Sequence, residues 1–106
     1  MDTLEVAMGL IAGAGDSRSY CMEAIDHARE GRFGEAREAV KSAVSAMIET
    51  HEVQTQLIRD EMEGNSSAVS LLMVHAQDHL NLALVMRDVA EEFIALYERI
   101  NRLEEK

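Results

Sequence analysis

The sequence contains no proline and no tryptophan, and a single cysteine, Cys21; aromatic residues make up only 4%. Each shortage excludes something. Without proline, nothing in the chain has to break a helix. So few aromatics argue against a sheet-rich fold. One cysteine cannot form a disulfide framework within a chain, and a reducing, cytosolic setting is the simple expectation. Basic residues are also scarce, 10 Lys and Arg against 20 Asp and Glu, for a formal charge of −10. Nucleic acid and anionic membrane surfaces are therefore poor partners, and a basic protein is a better one. The N-terminal Met1-Asp2-Thr3-Leu4-Glu5 has no basic n-region leading into a long apolar run, so no signal peptide is expected. No stretch has the roughly 18 uncharged residues of a membrane span, so no direct membrane insertion is expected.

What remains favours helix. Hydrophobic residues are 47% of 106, enough for one domain with a real core. The apolar spacing predicts an all-α fold, an antiparallel three-helix bundle with helices over about 3–30, 34–63 and 68–104. Asp2 or Thr3 can cap the first helix, whose apolar face is read as Leu4, Met8, Ile11, Cys21, Ile25 and Ala28. Gly9, Gly13 and Gly15 weaken it and suggest close helix packing, and Gly31 is a stop signal. Phe33, Ala36, Val40, Ala43, Val44, Met47 and Ile48 keep helical spacing in the second helix. His51, Gln54 and Thr55 share a face there, which reads either as a polar layer with satisfied hydrogen bonds or as one that faces the polar layer of the third helix. Gly64-Asn65-Ser66-Ser67 reads as a turn, with Ser66 or Ser67 as cap.

The third helix would be roughly 55 Å long. Leu71, Asp78, Leu82, Val85, Val89, Leu96 and Leu103 fall on one narrow stripe of it, so Asp78 occupies a row that reads as core. A buried carboxylate needs a cation, a donor or a shared proton. The first half of this helix is apolar all round. Three helices of one small chain cannot cover such a surface, which implies self-association or a docking surface.

His75 and His79 lie one turn apart beside Asp78, and three chemistries compete for them. A neutral imidazole is a good nucleophile near neutral pH, so phosphoryl transfer through a phosphohistidine is one. His-x-x-Asp-His is also close to a zinc-peptidase motif, and histidines at i and i+4 can share a zinc ion. The third is a buried polar layer that only sets register, in a non-catalytic bundle that acts by binding partners. For His27 a structural or exposed role is the expectation.

Val74-His75-Ala76-Gln77-Asp78-His79-Leu80 resembles the histidine motif of the enzyme IIA components of the sugar phosphotransferase system, of the lactose and N,N′-diacetylchitobiose/cellobiose class. Met8-Gly9-Leu10-Ile11 with Ala14-Gly15-Asp16-Ser17-Arg18-Ser19, and His51 with Gln54-Thr55-Gln56-Leu57-Ile58, support the resemblance in the right order. The wording is closer to the chitobiose/cellobiose branch than to the lactose branch, and Asn81 departs from the methionine often found there. The resemblance implies a homotrimer in which nine helices form one bundle. It implies that His75 accepts a phosphoryl group from the histidine phosphocarrier protein and passes it to a cysteine of the IIB component, for uptake of a β-disaccharide. It places Asp78 at the trimer axis, where three chains share a divalent metal ion such as magnesium. His79 would orient His75, and His51, Gln54 and Gln77 would line the site.

Overall fold

The computed structural model describes residues 2–65 and 69–105. Three helices follow in order: α1 (Thr3–Arg29), α2 (Phe33–Met62) and α3 (Leu71–Glu104). No strand occurs among the described residues. The helix ends follow local chemistry. The Asp2 carboxylate accepts the Leu4 amide at 3.0 Å, satisfying one of the free donors of the first turn of α1. After Arg29 the chain reverses through Gly31, whose φ of 79° suits a residue without Cβ. The amides of Gly31 and Arg32 donate to Ala28 O and His27 O, closing the helix end. Beside this turn His27 Nδ1 accepts from Arg32 Nε at 3.1 Å and lies 3.2 Å from Glu35, a structural role as expected. Gly64, with φ 85°, performs the same reversal after α2.

The start of α3 differs from the sequence expectation. Ser66, Ser67 and Ala68 lie outside the described residues, and the helix starts at Leu71 rather than 68. Ser70 is the cap: its extended backbone turns Oγ back to accept the Met73 amide at 3.1 Å.

The molecule is a rod of 60 × 21 × 20 Å. Its core is lined largely by alanine: Ala7, Ala14, Ala24 and Ala28 on α1 meet Ala36, Ala39 and Ala43 on α2 and Ala76, Ala83 and Ala90 on α3. Small side chains let the helices approach closely. Leu10 and Leu80 are the largest fully buried side chains and anchor the upper half. Ala24 and Ala28 pack with Ile94, so α1 and α3 run parallel with α2 antiparallel to both. Mid-bundle, Ser17 is buried and its Oγ–H donates to Ala43 O at 2.9 Å.

Two expected faces are corrected. Leu4 and Met8 are exposed, and Val6, Ala7 and Leu10 take the core side of α1. More consequentially, the α3 stripe is outside the chain. Leu71 is 85% exposed, Leu82 54% and Val85 59%, while Ala76, Leu80, Ala83, Ala90 and Ile94 face inward. On a helical wheel the two faces are about 150° apart.

Of the three helix-one glycines, Gly13 carries the packing argument. A Cβ there would collide with Thr50 Oγ1 and lie 3.2 Å from Thr50 Cβ, whereas one at Gly9 or Gly15 meets nothing within 4 Å. Gly13→Ala is therefore expected to cost about 1–3 kcal/mol through overpacking. Gly9→Ala should instead gain up to about 1 kcal/mol from helix propensity. Urea unfolding of the two variants should move the midpoint in opposite directions.

Candidate functional site: an exposed histidine pair on the third helix

Buried residues of α3 fix where its polar ones point. Ala76 and Leu80 are fully buried against α1, which turns the side chains between them to predictable sides. His75 is exposed and His79 half-buried on one flank of the helix. Their Nε2 atoms are 3.1 Å apart, and the rings stand edge to face, 88° apart in plane with centroids 4.5 Å apart. At that distance one ring donates an Nε2–H and the other accepts with its lone pair, so the two tautomers are locked to each other. An imidazole so held is aimed and reachable from solvent. These are the requirements of a nucleophile that meets another protein rather than a small substrate in a cleft.

The other expected site residues are dispersed. Gln77 points to the flank of α3 opposite His75, as the sequence position implies. It accepts from Gln54 Nε2 at 2.8 Å across the α2–α3 gap, and its own Nε2 lies 3.8 Å from Met73 Sδ. The polar layer expected of His51, Gln54 and Thr55 reduces to this one crossing bond. Thr55 Oγ1 donates back to His51 O at 3.0 Å in its own helix, a bond always within reach of a helical threonine. His51 is exposed and borders a small groove of about 120 Å³ with Ser17, Leu84 and Arg87. It is not beside His75 within one chain. Arg87 has a buried Nε with no hydrogen-bond partner among the described residues. Cys21 is fully buried; burial pushes its thiol pKa up, with the Arg87 charge opposing, so it is no nucleophile.

Asp78 is exposed, on the apolar stripe, with no hydrogen bond or ion pair among the described residues. No group of three or more His, Cys, Asp or Glu able to hold a metal occurs among the described residues. A zinc site built on His75 and His79 alone would lack its third protein ligand.

Fold and site together define a class: a small helical protein that displays a histidine pair on a rigid rod. The sequence fits the family described as "PTS system, Lactose/Cellobiose specific IIA subunit" over residues 5–98. It is 42% identical to the lichenan-specific phosphotransferase enzyme IIA component of Bacillus subtilis (strain 168), over 91% of this chain and 87% of that protein. The fold superposes with a TM-score of 0.91 on the crystal structure of the cellobiose-specific enzyme IIA from Bacillus anthracis, at 40% identity, covering 96% of this chain and 94% of that one. A TM-score of 0.81 relates it to the IIA component in the solution structure of the IIA(Chitobiose)-HPr complex of Escherichia coli, at 36% identity over 95% and 98% of the two chains. The chain belongs to the lactose/cellobiose-specific IIA family of the sugar phosphotransferase system. It is thus a phosphotransfer component of sugar transport, and none of its described helices is long and apolar enough to cross a membrane.

Proposed function

We propose that this IIA component is a cytoplasmic phosphocarrier in which His75 accepts the phosphoryl group of the histidine phosphocarrier protein and passes it to a cysteine of a IIB component, for uptake of a β-disaccharide of the cellobiose, chitobiose or lactose type. The observation that carries the reading is the accessible His75 ring held at 3.1 Å by His79. Support for the donor comes from the related Escherichia coli IIA in complex with HPr.

The chemistry is one of positioning and charge stabilisation. The lone pair of neutral His75 attacks phosphorus as the donor's N–P bond breaks. The donor imidazole takes up a proton, and His75 releases the one on its other nitrogen. In the second step the IIB thiolate attacks the phosphorus, the His75 N–P bond breaks, and His75 regains a proton. His79 is a positioning residue: it fixes the tautomer and the aim of the nucleophile.

In this proposal the functional unit is a homotrimer whose axis is lined by the exposed α3 stripe. Leu71, Leu82 and Val85 of each chain then leave water, and so does Asp78. A single carboxylate per chain, unpartnered and set among apolar side chains, is a donor set that fits one hard divalent cation shared by three copies, with magnesium as the natural candidate. Bound there, the ion would supply counter-charge to the Asp78 carboxylates, and no step of phosphoryl transfer passes through it.

The test is incubation with the general phosphotransferase proteins and phosphoenolpyruvate, followed by intact mass and peptide mapping. One acid-labile, alkali-stable phosphate on His75 is the expected product. Absence of phosphate with active donor proteins, or phosphate on His79 or His51, would overturn the assignment.

A further inference from the structure

The α3 stripe contains one ionisable group, and it lies next to the histidine that is loaded with charge. Asp78 follows His75 by three residues, a spacing that puts their Cβ atoms about 5–6 Å apart on neighbouring sides of the helix. A phosphoryl group adds about −1.5 to −2 charges at neutral pH. No Lys or Arg forms an ion pair at His75 or Asp78 among the described residues. Asp78 has no cationic partner among the described residues, and its stripe continues through Leu71, Leu82 and Val85. The next basic residue along α3 is Arg87, about two and a half turns on. Its guanidinium is already directed to Asp88 Oδ1 at 3.3 Å. Once the stripe is covered, the lower local dielectric strengthens the repulsion between loaded His75 and ionised Asp78.

Resting on the phosphocarrier reading above, we infer that phosphorylation of His75 and divalent-cation binding at Asp78 are positively coupled, so that the cation is held more tightly by the loaded carrier than by the empty one. The coupling is reciprocal by linkage: whatever the phosphate adds to cation affinity, the cation adds to the stability of the phosphorylated state. The axial ion is then a counter-charge to the cargo as well as a neutraliser of a buried carboxylate cluster. A proton taken up by His79 is a competing source of counter-charge that would leave the cation affinity unchanged, and one taken up by Asp78 would occupy the ligand itself and lower that affinity.

The test uses the full chain, phosphorylated by the donor proteins and moved into metal-free buffer at mildly alkaline pH, where phosphohistidine persists. Intact mass establishes loading before anything else is measured. Free Mn²⁺ is then counted by electron paramagnetic resonance as Mn²⁺ is titrated into loaded and unloaded protein. The expected result is a Kd about fivefold or more lower for the loaded protein, the lower end of ordinary allosteric couplings. In Asp78→Asn the tight site should be absent in both states. Equal affinity within about twofold, or weaker binding by the loaded protein, would overturn the coupling while leaving the carrier function intact. So would a phosphate-dependent gain that persists in Asp78→Asn, since the phosphoryl group alone would then bind the ion. No phosphate at the mass stage would overturn the carrier reading and the coupling together, so the two failures are told apart.

Discussion

His75→Ala is expected to carry no phosphate at all after exposure to phosphorylated donor protein, under conditions where the unmodified chain is fully loaded. The loss should be complete because the substituted atom is the one that bonds to phosphorus, and no general-base or binding contribution can replace it. The neighbouring His79 does not offer a substitute. It is half-buried where His75 is exposed, so it is less accessible to a donor protein. Folding should be almost untouched. His75 is exposed, and its one side-chain hydrogen bond among the described residues is the 3.1 Å bond to His79, so a stability change within about 0.5 kcal/mol is expected. Circular dichroism and sedimentation of the variant should match those of the parent. A variant that still gains about 80 Da, the mass of a phosphoryl group by general chemistry, would move the acceptor elsewhere.

That separation between chemistry and folding explains which parts of the molecule could be read from the sequence. The site is local: His75, Asp78 and His79 are close in sequence on one helix, so spacing alone puts them together, and helix ends marked by Asp2, Gly31 and Gly64 are local too. The core was harder to read because its packing surfaces are made of alanine. On α3 the bulky Leu82, Val85 and Val89 outweigh Ala76, Ala83 and Ala90 in any hydrophobicity pattern, yet the alanines face α1 and the larger residues face out. Periodicity shows that a helix has an apolar row; it does not tell whether the same chain or another copy covers it. Leu4 and Met8 on α1 were misplaced for the same reason. Of the three residues that share a face on α2, Gln54 is the one hydrogen-bonded to α3 among the described residues, through Gln77; His51 borders a groove with Leu84 and Arg87 of α3, and Thr55 turns back to His51 O.

Val85→Glu is the second change with a large expected effect, and it should act on assembly alone. Val85 is 59% exposed in the single chain, so a glutamate there meets water and costs the fold of one chain little. In a threefold assembly about the α3 stripe the same substitution appears three times at one level, by symmetry. Three carboxylates would then have to leave water together in an apolar seam, at several kcal/mol each without a partner, and they would repel one another. Equilibrium sedimentation should accordingly show Val85→Glu as a helical monomer at concentrations where the parent is expected to be trimeric. Asp78→Leu tests the same seam with the opposite sign. It removes the charge at Asp78 and replaces it with a side chain like its neighbours, so the proposed trimer should persist or tighten while the proposed divalent-cation site is lost. A monomeric Asp78→Leu would mean that the ion, rather than the apolar stripe, holds the chains together. A trimeric Val85→Glu would mean that the stripe faces something other than its own copies. The pair therefore separates what assembles the chains from what Asp78 contributes once they are assembled.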